Sequence, residues 1–261
     1  MIIFGAIAPH SPLLVPTIGK EHRELLELTL KAYHELEHSL YLAKPDTLVI
    51  LSPHAPMYAD AFSGNIHDTF RGVLKEFGDH GTTVQAKADF LVLDHLHRAL
   101  RDEGIPFTLT SQEELDYGFT IPLLFLTPHL PQLKVIPLAT SLLGAQAHEE
   151  FGRQIHRVFQ RENKRIAILA SADLSHHANH QAAGGTLPEG QKFDTLVRQA
   201  VTQFRPMDLL QADIQMIEKA DQCGYKPILT LLGALEGLNG SFRELCYEAP
   251  FGVGYFTARF E

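Results

Sequence analysis

Two histidines sit in matching turns that each follow an apolar run. Ile2–Ile7 leads into Ala8-Pro9-His10-Ser11-Pro12, and Leu48–Leu51 leads into Ser52-Pro53-His54-Ala55-Pro56. A third run, Arg165–Ala170, ends in Ser171-Ala172-Asp173-Leu174-Ser175-His176-His177. Neutral imidazole is the commonest protein ligand for iron, zinc and copper. Two histidines and one carboxylate, with positions left open, make the site of non-haem Fe(II) oxygenases. His10 and His54 supply the two histidines. The third donor is open among Glu218, Cys223 and Asp173. A thiolate would favour zinc or Cu(I), although iron also accepts it. His176 has the chemistry of a general base for a substrate hydroxyl, and Asp173 could orient or charge-stabilise an imidazole. Each of these residues also has a plain structural use. A histidine can bond a loop, Cys223 can fill a small buried space, and Glu218 can be an exposed helix carboxylate. Two histidines in matching strand-end turns make a shared site the better reading.

Other chemistries lack their motifs. Ser175 adjoins His176, but no G-x-S-x-G elbow is present. There is no phosphate loop, and Gly252-Val253-Gly254 has no helix after it, which disfavours nucleotide cofactors.

The elements that carry these residues read as α/β. Leu48–Leu51 is apolar and β-branched at its centre, as in a strand buried on both faces of a parallel sheet. Pro53 ends it. Open α/β sheets place ligand sites beyond the carboxyl ends of their strands. Glu21–Leu42 reads as an amphipathic helix with Leu25, Leu28, Ala32, Leu36 and Leu40 in its apolar stripe. Strand, helix and strand then form a right-handed parallel unit. Further helices are expected over Asp89–Glu103, Thr120–Leu126 with Pro122 in its first turn, Ala145–Arg161, Lys192–Phe204 and Tyr225–Leu235. Short strands are expected at Phe62–Ile66, Thr83–Gln85, Phe107–Thr110 and Lys134–Leu138, with terminal strands at Arg243–Glu248 and Gly254–Phe260. Met57–His80 is otherwise read as loop.

A chain of 261 residues, 45% apolar and 20% charged, can form one large domain with a sizeable core. The net charge of −9 and the lack of a Lys/Arg cluster speak against nucleic acid or an anionic membrane as partner. Two cysteines, Cys223 and Cys246, suit a reducing cytosol rather than a disulfide framework. Met-Ile-Ile-Phe is not the start of a signal peptide, and no apolar run approaches the roughly 20 residues of a membrane span. A cytoplasmic location is therefore expected.

Taken together, the motifs resemble the class III extradiol ring-cleavage dioxygenases, the LigB-like superfamily. The branch they match contains Memo-like proteins and the dioxygenase-like part of the AmmeMemoRadiSam system. The markers are Ala8-Pro9-His10, Ser52-Pro53-His54, Ser171–His176, Cys223-Gly224 with Leu231–Leu235, and Pro250–Tyr255. The resemblance implies a single α/β domain over residues 1–261, with a central, mostly parallel sheet flanked by helices and a mononuclear metal at its edge. It implies Fe(II), with zinc or copper as alternatives. His10 and His54 match the metal histidines, and Cys223 matches the cysteine that Memo-like proteins carry in the third position. Glu218 stays as the alternative third ligand. His176 matches the acid/base histidine, and Asp173 an aspartate of the same pocket. The implied function is a metal-dependent oxidoreductase that opens a catechol-type ring with O2. The alternative is a Memo-like metal-binding or partner-binding protein without that activity. A homo-oligomer or a partner subunit would fit either. Two departures stand out. Asp116-Tyr117-Gly118 replaces the usual Asp-His-Gly, although a phenol can still donate a hydrogen bond. Gln222 precedes Cys223 where many of these chains have Glu. Tyr117 and His177 are the expected substrate-binding pair.

Overall fold

The computed structural model describes residues 1–261. Eleven strands run in chain order: β1 (Ile2–Ala8), β2 (Thr47–Ser52), β3 (Phe62–Asn65), β4 (Thr69–Leu74), β5 (Asp79–Ala88), β6 (Phe107–Thr110), β7 (Glu114–Leu115), β8 (Lys134–Ala139), β9 (Ile166–Ser171), β10 (Phe242–Glu248) and β11 (Tyr255–Phe260). They join in one sheet of order β10-β11-β1-β9-β2-β8-β5-β4-β7, and β3 links β8 to β6. The four central strands, β1, β9, β2 and β8, are mutually parallel. The terminal strands β10 and β11 extend them antiparallel. This is the expected α/β class, with a mixed rather than uniformly parallel sheet. The first two strands are parallel, as expected, but β9 lies between them.

Strand periodicity divides the core. On β2, Leu48 and Ile50 face a cluster with Phe4, Tyr33, Leu36 and Leu40, while Val49 and Leu51 face one with Phe151, Ile155 and Leu232. Both sides are covered, which is why β2 and β9 are buried along their whole length. The helices Glu27–Ala43 and Tyr117–Leu126 lie on the first side, and Ala145–Phe159 and Tyr225–Leu235 on the second. Each fully buried Leu, Ile or Val on these strands contributes roughly 1.5–3 kcal/mol. The two helices of the second side touch at backbone distance. A Cβ on Gly152 would lie 2.1 Å from the Thr230 carbonyl oxygen.

Four expectations need correction. The N-terminal part of the first long helix is a 3-10 segment, Lys20–Leu26, and the α-helix begins at Glu27. That change of winding turns Leu26 inward and leaves Leu25 and Leu28 each 54% exposed. Thr69–Leu74, read as loop, is a strand. Its buried positions alternate, and Gly72 masked them by interrupting the apolar residues. The strand around Pro137 runs on to Ala139. Pro137 pairs with β2 on one flank, and on the other it lies between the end of the β5 ladder and the start of the β3 ladder. No ladder there requires the N–H that proline lacks. Finally, the helix expected from Thr120 starts at Tyr117, so Pro122 is interior rather than in the first turn.

Candidate metal centre

Parallel strands deliver their carboxyl ends to one edge. There β1 ends at Ala8, two residues before His10, and β2 ends at Ser52, two residues before His54. β9 lies between them and ends at Ser171, so Asp173 arrives between the two histidines. The Ala220–Gly224 turn is bound to the same loop. The Ser175 hydroxyl donates to the Ala220 carbonyl at 2.8 Å, and the His176 N–H to the same oxygen at 3.0 Å. This brings Cys223 beneath the histidines.

The donor atoms converge. His54 Nε2 lies 2.9 Å from His10 Nε2, and Cys223 Sγ lies 3.3 Å from the same atom. One ligand atom from each of the three residues falls within 4.8 Å of the others. Two such donors on one ion, in adjacent tetrahedral or octahedral positions, would lie roughly 3.0–3.6 Å apart. The spacing and the donor set therefore suit a single transition-metal ion. Asp173 lies just outside: its Oδ2 is 3.7 Å from His10 Nε2, and its Oδ1 accepts the His10 backbone N–H at 2.9 Å.

Burial sets the charge states. It pushes the His10 pKa down to about 3, with His176 adding repulsion. It pushes His54 down to about 4, with His10 adding repulsion. Both rings are therefore neutral near pH 7, with nitrogen lone pairs available. Burial also lifts the Asp173 carboxyl to about 6 and holds the Cys223 thiol well above its ordinary range.

Other expected residues divide between this edge and elsewhere. The Tyr117 ring stacks on His54 with centroids 4.3 Å apart, and its hydroxyl is 3.0 Å from His54 Nε2. The His176 side chain is 41% exposed, with Nδ1 3.9 Å from Asp221 Oδ2. The Nδ1 of His177 lies 2.8 Å from the Gly185 carbonyl oxygen of the neighbouring loop. Glu218 is exposed on the helix Ile214–Lys219 and takes no part in the donor cluster. Helix periodicity explains this, because Ile217 is the residue of that turn that faces the core.

Sequence reasoning passed over the residues that brace the histidines. Ser52 Oγ accepts the His54 backbone N–H at 3.2 Å and donates to Asp116 Oδ1 at 3.1 Å. Asp116 caps the helix Tyr117–Leu126, and burial raises its carboxyl to about 6. Tyr33, from the first long helix, donates its hydroxyl to the Pro9 carbonyl. Asp116 before a helix start is a legible cap signal. Tyr33 is not legible, because nothing local links it to Pro9. A cavity of about 280 Å³ is lined by Ala55, Pro56, Ser63, Asn65, Thr110 and Asp116 among others; it reaches the chain neighbours of His54 and Tyr117, while none of the three donor residues lines it.

Known proteins bear on this arrangement. A protein of Clostridium acetobutylicum is 25% identical over 98% of the chain, which spans 56% of that relative's length. A MEMO1 family protein of Methanocaldococcus jannaschii is 23% identical over 99% of the chain and 86% of its own length. A 2,3-dihydroxyphenylpropionate/2,3-dihydroxicinnamic acid 1,2-dioxygenase of Klebsiella pneumoniae is 34% identical over 59% of the chain and 48% of its own length. An uncharacterized protein of Escherichia coli, solved by crystallography, shares the fold with a TM-score of 0.68 at 18% identity, covering 99% of this chain and all of that one. No helix here is long and apolar enough to cross a membrane. The family described as the catalytic LigB subunit of aromatic ring-opening dioxygenase matches residues 5–258, and the chain belongs to that family.

Proposed function

We propose that the chain is a metal-dependent oxidoreductase acting with O2 on a small catechol-type molecule, and that His10, His54 and Cys223 hold its single metal ion. The observation that carries this is the convergence of three donor atoms, from buried His10 and half-buried His54 and Cys223, beyond the ends of parallel strands. Fe(II) is the ion that the resemblance to extradiol dioxygenases favours. When bound, it supplies Lewis-acid and redox chemistry.

The protein's own residues do the rest. His10 and His54, kept neutral by burial, offer lone pairs without first losing a proton. His176, partly exposed, takes a proton from a substrate hydroxyl in this reading. Asp173 fixes the His10 backbone and places a carboxyl beside the donor cluster. Tyr117 presents a phenol next to His54, where a histidine stands in related dioxygenases, and serves as a substrate-side donor. The cavity lined by Ala55 and Asp116, the chain neighbours of His54 and Tyr117, is near the lower end of the volumes that suit small molecules.

A second reading draws on the thiol. With Cys223 in the third position and Glu218 exposed, the donor set differs from two histidines and a carboxylate. This favours a Memo-like metal-binding protein, holding zinc or copper, without ring cleavage. An oxygen-electrode screen of catechols with the Fe(II)-reconstituted protein separates the two. Uptake with at least one diol, abolished by His54→Ala with the circular dichroism spectrum intact, is the expected result. No uptake with any diol, while metal remains bound, would establish the second reading instead.

A further inference from the structure

A neutral histidine carries one proton, and which nitrogen bears it decides which nitrogen can bind a metal. At His10 the choice is set from a distance, beginning with Pro122. In the helix Tyr117–Leu126 the carbonyl of Gly118 would ordinarily accept the backbone N–H four residues on. That residue is Pro122, which has none. The Gly118 carbonyl, itself buried, takes the hydroxyl proton of Ser171 instead, at 2.5 Å.

Ser171 has no second proton to give. Its Oγ nevertheless lies 2.9 Å from His10 Nδ1, inside a fully buried contact. With the hydroxyl proton committed to Gly118, Ser171 can only accept at this distance, so the proton of the imidazole belongs on Nδ1. The reverse assignment would take from the Gly118 carbonyl the hydroxyl proton that stands in for the missing Pro122 N–H. Strand pairing fixes the distance. Ala8 on β1 is in register with Ser171 on β9, so the hydroxyl lies beside the Pro9-His10 turn. The Asp173 carboxylate grips the His10 backbone two residues further along.

We propose that Ser171 is a positioning residue that locks His10 in its Nδ1–H tautomer and so aims the bare Nε2 lone pair at the centre shared with His54 and Cys223. The functional consequence rests on the reading of His10 as a metal ligand; the tautomer does not. Partners of this kind commonly tune affinity for the metal, and losing one costs roughly 10–100-fold.

Long-range proton–nitrogen NMR of the metal-free, histidine-labelled protein tests the tautomer directly, with His10 assigned from the His10→Ala spectrum. The expected pattern for His10 is a protonated Nδ1 and an unprotonated Nε2. A protonated Nε2 would overturn the proposal, whether or not any variant folds. Cobalt affinity, measured by competition, is the second arm. Ser171→Ala should weaken binding roughly 10–100-fold, and Ser171→Thr, which keeps the hydroxyl, should recover most of the loss. Unchanged affinity and an unchanged tautomer in Ser171→Ala would also overturn it. If His10→Ala leaves cobalt binding intact, the assignment of His10 as a ligand fails, and the wild-type spectrum still decides the tautomer.

Discussion

The charge states around the centre make metal affinity depend on pH in a way that can be calculated. Cys223 is half-buried, and the loss of solvent around its thiol keeps the proton on it well above neutral pH. A thiol binds a metal as the thiolate, so binding must expel that proton. His10 and His54, with pKa values near 3 and 4, have no proton to lose above pH 6. Asp173, near 6, is largely ionised by pH 7. Between pH 7 and pH 9 one proton therefore leaves per ion bound. The sign comes from mass action: raising the pH favours the deprotonated, metal-bound state. The dissociation constant should fall about tenfold per pH unit, equal to about 1.4 kcal/mol, or about 100-fold over the interval. In Cys223→Ser the hydroxyl has no accessible deprotonation, and the slope should vanish along with much of the affinity. Zinc or cobalt competition titrations at several pH values read this slope, after subtracting the chelator's own protonation. A flat wild-type profile, or a tenfold slope that survives Cys223→Ser, would refute the thiolate assignment. A hundredfold change per unit would mean that a second group also releases a proton, at odds with histidines kept neutral by burial.

Single residues carry further expected outcomes. A Cβ on Gly118 would lie 2.4 Å from Ser52 Oγ and 2.9 Å from Asp116 Oδ1. Gly118→Ala should therefore displace the Ser52 hydroxyl from Asp116 and from the His54 N–H, lowering stability by about 1–3 kcal/mol. A melting temperature equal to wild type would contradict this. Asp194 is buried beneath the Tyr247 hydroxyl at 2.6 Å and the Ser175 N–H at 2.8 Å, and burial raises its carboxyl to about 6. The folded state thus holds this proton more tightly than the unfolded chain, so its contribution to stability is lost as pH rises from about 4 to about 6. In Asp194→Asn that loss is absent, and urea unfolding should show the variant gaining up to about 3 kcal/mol on wild type across this interval. A pH-independent difference would sink the assignment. Glu218→Gln should leave metal affinity unchanged, because Glu218 is exposed and outside the donor cluster. A tenfold loss would restore it as a ligand.

The central strands and the turns at their carboxyl ends were legible from the residues alone. Buried parallel strands are continuous apolar runs, and a Pro-His turn after such a run places a side chain at the sheet edge whatever the order of the strands. That is why His10, His54 and Asp173 could be assigned to one edge although β9 lies between β1 and β2. Cys223 was harder. Its position depends on the Ala220–Gly224 turn docking on the 172–176 loop, a long-range contact that leaves no periodic trace. His177 shows the same limit, since adjacency to His176 did not reveal that its ring bonds Gly185. Leu25 and Leu28 failed because helical spacing was extended through a 3-10 segment, which has a different period. Pro122 was legible as a helix irregularity. Its effect was not, because the freed Gly118 carbonyl is answered from β9, 53 residues further along the chain.

The central claim is that His10, His54 and Cys223 form one metal centre, and metal content tests it most directly. Plasma mass spectrometry on anaerobically purified protein, wild type beside His10→Ala/His54→Ala, should find near-stoichiometric transition metal in the first and almost none in the second, with both folded. Equal metal in the two proteins, or none in wild type after reconstitution, would contradict the account.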